Sequence, residues 1–349
     1  MDTEDSGLAA DRFALRVLGS LRSVMRLLRT SKTSVSPIEK FIRATVLAPL
    51  YVLFAIPLLT RIHSRRSIVV SGLTSFGAEI TCRLPDLIQT YIWVFNEWEP
   101  DLTRFIAGRL RDGDVFVDVG ANIGYYSLLA AQCVGPTGRV IAVEASPPVY
   151  ADLQRHIDHN GVGDRVRAEN KAAAAEPGTL SIFSGPVHNV GASTTLGKHG
   201  AESVESIVES QPLRNLLSAD ELSSIRLIKI DVEGAEPDVV AGMGDLIPRL
   251  PADAEVILEL SPKWWSDPGL NAVDVLRPFT DAGFRIYEMK NSYSAWRYLW
   301  PNDVTDAVRV RRALTRRVAR LDLVLSRVDD DRLRIDSREF VARFGASTA

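Results

Sequence analysis

Five polar side chains stand at or near the ends of short apolar runs: Asp118, Glu144, Asn170, Asp231 and Glu259. Four of them are carboxylates, which can take up protons, bind a divalent cation or accept hydrogen bonds from hydroxyl groups. An isolated acid in such a place more often caps a helix or faces solvent. The position shared by all five indicates one site built from several elements.

The apolar runs are predicted to be strands of one α/β sheet, because helical patterns separate them. Seven runs qualify: 115–119, 139–143, 166–170, 225–231, 254–260, 284–289 and 321–328. Residues 171–224 interrupt the alternation and are interpreted as an insertion or lid. Parallel sheets covered by helices on both faces bind ligands at the carboxyl ends of their strands, near the point where strand order reverses. The five polar side chains would meet there.

The turn after the first of these strands, DVGANIG (118–124), separates two classes of cofactor. The dinucleotide pattern G-x-G-x-x-G would require glycine at Asn122 and Tyr125, and Asp118 would place a negative charge beside the phosphates. S-adenosylmethionine carries a cationic amino-acid end and no phosphate, so an acid there is favourable. Glu144 is placed to accept hydrogen bonds from both ribose hydroxyls, although dinucleotide enzymes use an acid there too.

The motifs DVGANIGYYSLLAA, VIAVEASP and LIKIDVEGAEPDVVAGM (227–243) resemble the FkbM family of S-adenosylmethionine-dependent O-methyltransferases. The resemblance covers about residues 70–328, from NEWEPDLTRFIAGRLRDGDVFVDVGAN to LDLVLSR. It implies a Rossmann-like class I methyltransferase fold with a mostly parallel seven-stranded sheet. The cofactor-binding residues that it implies are Asp118, Gly120, Ala121, Asn122, Gly124, Glu144, Asn170 and Ala172.

Methyl transfer from a sulfonium is an in-line displacement, so the rate depends mainly on positioning, with a general base to take the proton of a hydroxyl acceptor. Asp231 and Glu233 follow the fourth strand and are candidate bases, as is His188 in the segment PVHNVGAS. Lys229 lies on the same strand face as Asp231, which predicts a buried cation paired with an acid. Asp231 and Glu259 could instead hold Mg²⁺, which would lower the pKa of the acceptor hydroxyl.

Aromatic residues concentrate after the fifth strand and near residue 295, and two interpretations of them stay open. They either complete the core or provide flat surfaces for a sugar or an apolar acceptor. The residues concerned are Trp264, Trp265, Tyr293, Trp296, Tyr298 and Trp300.

The first 66 residues lie outside the resemblance. A basic amphipathic helix is predicted, with Phe13, Val17, Leu21, Val24 and Leu28 on one face and arginines opposite. Residues 44–60 then carry no charge, but they reach only about 26 Å and contain two prolines. The segment is either a pair of helices packed on the catalytic domain or a membrane anchor with its arginines at anionic head groups.

The sequence therefore predicts a helical segment over 1–66, a methyltransferase domain over 67–330 and a C-terminal tail over 331–349. The expected function is O-methylation of a hydroxyl on a glycan, glycolipid or secondary metabolite, in the cytoplasm or at a membrane. A net charge of −3 gives no reason to expect nucleic acid, and two cysteines form no disulfide framework. An NAD(P)-dependent oxidoreductase and a non-catalytic membrane adaptor are the alternatives.

Overall fold

A computed structural model describes residues 2–64, 67–183, 204–267, 269–311, 314 and 320–345 of the 349-residue chain. A nine-stranded sheet forms its centre. In chain order its strands are β3 (Val115–Val119), β4 (Arg139–Val143), β5 (Val166–Glu169), β9 (Ile225–Ile230), β10 (Glu255–Leu260), β11 (Arg285–Glu288), β12 (Ala307–Arg309), β13 (Leu321–Ser326) and β14 (Arg332–Leu333). Two smaller sheets contain β1 (Ile68–Leu73) with β2 (Glu79–Leu84), and β6 (Ala172–Ala173) with β7 (Gly178–Phe183) and β8 (Val204–Gln211).

The strand order of the central sheet is β14-β12-β11-β13-β10-β9-β3-β4-β5. The five strands from β10 to β5 are parallel, while β13 runs antiparallel to both of its neighbours. Strand order reverses between β3 and β9, since the chain moves from β3 towards one edge and from β9 towards the other. All seven predicted strands are present, and the expected α/β fold is confirmed. The short strands β12 and β14 extend the sheet beyond that prediction.

Helices cover both faces of this sheet. Around it lie α3 (Leu87–Phe95), α4 (Pro100–Arg109), α5 (Tyr125–Cys133), α6 (Pro147–His159), α7 (Ala219–Ser223), α8 (Glu236–Gly242), α9 (Ala272–Asp281) and α10 (Ser337–Phe344). Alternation along β3 divides the core: Phe116 packs with the cluster under α4 and α5, whereas Val115, Val117 and Val119 pack with the cluster under α8 and α9. Asp118 therefore faces α5.

The predicted boundary at residue 330 separates pieces that pack together in the structure. Strand β14 pairs with β12, and α10 contacts α4 through the buried Phe340 and Phe344. Residues 332–344 thus complete one side of the domain. The predicted insertion over 171–224 contains the three-stranded sheet β6-β8-β7 and helix α7 within its described part.

Two long helices precede the sheet, α1 (Asp2–Leu27) and α2 (Pro37–Ser64), and α2 is one helix despite Pro49 and Pro57. Within the described residues, one helical stretch, Pro37–Leu59, has the length and apolar composition to cross a membrane, with mean hydropathy 1.9. Both helices contact the rest of the protein, as the packed-helix interpretation predicts, through Leu18, Met25, Leu47 and Phe54.

Two of the N-terminal arginines, Arg26 in α1 and Arg29 just after it, are directed towards the domain. Arg26 donates to the backbone oxygens of Trp93 (3.0 Å) and Val94 (2.8 Å) at the end of α3, and Arg29 pairs with the buried Glu97 at 2.9 Å. Free carbonyls at a helix C-terminus attract such donors. Arg26 and Arg29 are therefore bound within the protein, and binding of anionic head groups stays a prediction for the remaining basic residues. The buried face of α1 is accordingly rotated, and Val17 and Val24 are exposed.

Candidate active site

A cavity of about 340 Å³ lies over the carboxyl ends of β3, β4, β9 and β10, at the point where strand order reverses. The turn between β3 and α5 forms one side of it. Gly120 and Gly124 have φ angles of +77° and +91° there, which glycine adopts without strain. A Cβ on Gly120 would overlap the backbone oxygen of Asp231, so glycine is also what lets the ends of β3 and β9 approach each other.

Every backbone N–H of the turn is used within the protein. Gly120 and Ala121 both donate to the carbonyl of Val143, at 2.9 and 3.0 Å. Asn122 N–H donates to Glu144 Oε2 at 2.8 Å. The next two N–H groups, of Ile123 and Gly124, donate to the Asn122 side chain and to the Ala121 carbonyl. No backbone N–H of residues 120–124 remains for a phosphate group.

Glu144 follows β4 and lines the cavity beside this turn. Its second oxygen, Oε1, accepts from the N–H of Ser146 at 2.9 Å, so two backbone donors fix the carboxylate. A carboxylate oxygen has two lone pairs and can accept from more than one donor. Gly120, Ala121 and Asn122 line the cavity with it, and their contact with a cofactor stays a prediction.

Asp118 lies beneath the cavity and not on its wall, because alternation along β3 turns the side chain towards α5. It is fully buried; Ser127 Oγ donates to Oδ2 at 2.7 Å, and Lys229 lies 3.7 Å from Oδ1. At that distance the lysine forms an ion pair without a hydrogen bond. Asp118 does not line the cavity, and its expected interaction with the cationic end of a cofactor, directly or through water, stays a prediction.

Asn170 and Ala172 follow β5, and the structure separates their roles. The Asn170 amide donates to the backbone oxygens of Glu144 (2.9 Å) and Ala145 (3.1 Å) and so holds the loop that carries the carboxylate. Ala172 lines the cavity next to Ala173 and Ile182, an apolar wall across from the glycine turn.

Lys229, on β9, links this strand to its neighbour β3. Sheet register places Asp118 opposite it, and its ammonium group lies 3.2 Å from Asp231 Oδ2. These two acids, although burial opposes them, raise the pKa of Lys229 above its ordinary value. The buried, paired cation predicted from the sequence is confirmed.

Glu233, one of the candidate bases after β9, lies in an environment that disfavours its charged form. Burial, followed by the charges of Asp231 and Glu236, raises the pKa of Glu233 to about 7. Glu233 adopts a φ of +45° and lines the cavity together with Asp231. Glu236 is buried behind them and accepts from Gly234 N–H (2.6 Å) and Trp265 Nε1 (2.7 Å). The third candidate base, His188, lies outside the described residues.

Three acids that the sequence did not bring together meet beside the cavity, and two of them, Glu99 and Glu259, line it. Carboxylate oxygens of Glu99, Glu259 and Asp322 lie within 4.8 Å of one another, the one such group found among the described residues. Burial and then the charge of Asp322 raise the pKa of Glu99 to about 7. Arg320 lies 3.0 Å from Asp322 and 3.7 Å from Glu259 and balances part of this charge.

Of the predicted Mg²⁺ pair, Glu259 belongs to this group and Asp231 does not, and a metal held by Asp231 and Glu259 stays a hypothesis. Strand pairing brings Glu259 opposite Asp322 across β10 and β13. Glu99 reaches them from the loop before α4, held by Tyr126 Oη–H and by the Asn291 amide at 2.7 Å. The one sequence signal for Glu99 is its place in NEWEPD, within the stretch that resembles the beginning of the family's domain.

The aromatic residues divide between the two interpretations. Tyr293 and Trp264 line the cavity, and Trp98, which the sequence did not single out, stacks on Tyr293 with ring centroids 5.2 Å apart and planes 11° apart. Trp265 holds Glu236, and Tyr298 is fully buried against Phe95. Trp296 and Trp300 pack against the core.

Residues 118–286 match the family model described as "Methyltransferase FkbM domain". A 31-O-demethyl-FK506 methyltransferase FkbM of Streptomyces tacrolimicus is 31% identical over 163 residues, which cover 39% of this chain and 62% of that protein. "Methyltransferase 1" of Beauveria bassiana is 27% identical, covering 38% and 60%. The hexuronic acid methyltransferase AglP of Haloferax volcanii is 24% identical, covering 51% and 69%.

The chain thus spans about 60% of the length of the first two of these relatives. Among solved structures, an FkbM methyltransferase from Methylobacillus flagellatus superposes with a TM-score of 0.40 and 14% identity, covering 79% of this chain and 59% of that one.

Proposed function

The chain carries a methyltransferase domain of the FkbM family, and on this premise we propose that it transfers the methyl group of S-adenosylmethionine to a hydroxyl oxygen. The observation that carries the proposal is the closed hydrogen-bonding of the glycine turn. A dinucleotide needs free backbone N–H groups at its pyrophosphate, whereas the backbone N–H groups of residues 120–124 all donate within the protein. A phosphate-free nucleoside with a cationic end suits such a turn.

The residues around the cavity fit this cofactor. Glu144, fixed by two backbone donors, would accept from the ribose hydroxyls, and Ala172, Ala173 and Ile182 would cover the adenine. Asp231 would face the cationic end of the cofactor, held in place by Lys229, while Asp118 acts through Lys229 from below. When bound, S-adenosylmethionine supplies an electrophilic methyl carbon.

The protein's own contribution to the reaction is positioning and removal of a proton. Glu233 is the proposed general base, because a carboxylate whose pKa lies near 7 accepts a hydroxyl proton at neutral pH and is regenerated readily. Asp231 is engaged by Lys229 and is better suited to orienting. Trp98, Tyr293 and Trp264 would provide flat surfaces against the acceptor.

We propose a glycan, a glycolipid or another secondary metabolite as the acceptor, because carboxylates and aromatic rings at one end of the cavity suit a polyhydroxylated ring. Two relatives are named for an FK506 hydroxyl position and for a hexuronic acid, which supports a hydroxyl-bearing small molecule. Cytoplasmic location with membrane association is part of the same proposal, supported by the exposed apolar side of α2.

Calorimetry with S-adenosylhomocysteine tests the cofactor. We expect binding by the purified protein, and a loss of at least about tenfold in Glu144→Ala, since a carboxylate that accepts from hydroxyls contributes more than 1.4 kcal/mol. Glu169→Ala is the matched control, because Glu169 ends the neighbouring strand without lining the cavity. Heat on adding NADH, with none on adding S-adenosylhomocysteine, would instead support an oxidoreductase.

A further inference from the structure

A second cavity, the α2–α3 groove, lies between these two helices and has a volume of about 130 Å³. Helix α3 contributes Leu87, Thr90, Tyr91 and Val94, which lie on one helical face because their spacing is three and four residues. Helix α2 contributes side chains from Tyr51 to Ile62, and Met25 of α1 closes one side. Nearly all of the wall is apolar, so the groove suits a hydrocarbon chain.

The groove and the active-site cavity share a residue. Leu87, the first residue of α3, lines both. A second connection runs through Tyr91, whose Oη–H donates to the backbone oxygen of Tyr293 at 3.1 Å, while Tyr293 forms part of the cavity wall. The first turn of α3 therefore lies between the groove and the place proposed for the acceptor.

Thr90 is the one polar residue of the groove wall whose side-chain oxygen is buried without a hydrogen-bond partner. The residue is only 7% exposed. A buried hydroxyl without a partner costs free energy, and most such groups have one. A ligand in the groove that carries an oxygen atom near Thr90 would provide the missing acceptor.

The outer surface of α2 indicates where such a ligand comes from. Eight large apolar side chains are exposed along its described part: Ile38, Phe41, Ile42, Val46, Val52, Leu53, Ile56 and Leu59. Residues 12–78 contain eleven Lys or Arg and one acid, in a chain of net charge −3. Even with Arg26 and Arg29 directed inward, this excess of positive charge complements an anionic bilayer, and the apolar face would lie in its interface.

We infer that the α2–α3 groove binds the hydrocarbon chain of a membrane-resident acceptor whose head group enters the active-site cavity past Leu87. An ester or ether oxygen between chain and head group would accept a hydrogen bond from Thr90. The inference rests on the proposed function and narrows the acceptor to a lipid-linked hydroxyl compound.

Photocrosslinking tests it with the full-length protein and vesicles of phosphatidylethanolamine and phosphatidylglycerol. The probe is a glucosyl diacylglycerol with a diazirine in one acyl chain, and crosslinked peptides are mapped by mass spectrometry. We expect crosslinks at groove residues such as Tyr51, Ala55 and Val94, in addition to the exposed face of α2.

Two variants and one control sharpen the result. Ala55→Trp fills the groove and should reduce groove crosslinks about tenfold, whereas Ile56→Trp, one residue along on the exposed face, should leave them unchanged. Thr90→Val keeps the shape of the wall and should reduce them about fivefold, the effect of one lost hydrogen bond.

Crosslinks confined to the exposed face of α2, or equal in wild type and both groove variants, would overturn the inference. S-adenosylhomocysteine binding is measured on the same samples and separates the two claims. Normal cofactor binding without groove crosslinks refutes the groove alone, while absent cofactor binding in the wild type refutes the proposed function, and the inference with it.

Discussion

Replacing Lys229 by methionine tests the arrangement that holds the two strands of the site together. The ammonium group is the one cation within 4 Å of Asp118 in the described chain, and Asp118 is completely buried. Methionine keeps much of the side-chain volume, so packing should change little. The variant leaves a buried carboxylate whose remaining hydrogen bond is the one from Ser127.

Removing one partner of a buried ion pair costs about 3–5 kcal/mol, and this is the expected loss in the free energy of unfolding at pH 8. Burial already raises the pKa of Asp118, with Lys229 and Ser127 opposing that shift. Without the lysine the folded-state pKa rises further. A carboxyl group with a raised pKa keeps its proton in the folded state. The loss in the free energy of unfolding should therefore shrink as the pH falls towards the pKa of an Asp in the unfolded chain, about 4.

Urea unfolding at pH 5 and pH 8 is the assay, followed by tryptophan fluorescence. The double variant Asp118→Asn with Lys229→Met is the control, because it removes the buried charge and should recover most of the loss at pH 8. A loss below about 1 kcal/mol, or an equal loss at both pH values, would contradict the ion-pair argument. So would a double variant no more stable than Lys229→Met.

Three further predictions concern the turn, the base and α1. In urea unfolding, Gly120→Ala should lower the free energy of unfolding by at least about 2 kcal/mol more than Gly113→Ala does. Both glycines have a positive φ, but only a Cβ at position 120 would overlap backbone atoms. Equal losses would exclude the close approach of β3 and β9. Glu233→Gln should have a free energy of unfolding about 3 kcal/mol above that of the wild type at pH 8 and equal to it at pH 4.5. The reason is that a pKa raised from 4.5 to about 7 destabilises the folded state only at pH values where the carboxyl group must ionise. A gain in stability that does not depend on pH would argue against this. Arg29→Met should lower the melting temperature and increase proteolysis between α1 and α2, because it leaves the buried Glu97 with only one of its two arginines. The control Arg16→Met changes an exposed residue and should have neither effect. Identical digestion patterns of the two variants would refute the docking role of Arg29.

The residues that the sequence identified are those whose neighbours along the chain define their place. Glu144, Gly120 and Asn122 belong to a strand, a turn and a helix start that local pattern specifies, so their position on the cavity wall followed from topology. Lys229 and Asp231 share a strand face by period alone, and their pairing followed too. The order of apolar runs likewise determined the seven main strands.

Other features depended on contacts between distant segments. Glu99, Glu259 and Asp322 are more than sixty residues apart from one another, and only loop packing and the antiparallel pairing of β13 bring them together. The direction of the Asp118 side chain depended on which face of β3 meets α5. Arg26 and Arg29 fit the spacing of a membrane-binding helix, but free carbonyls at the end of α3 and the buried Glu97 bind them instead. Local periodicity determines which residues share a face, whereas the partner of that face is selected by the free energy of burying charge and apolar surface in the complete fold.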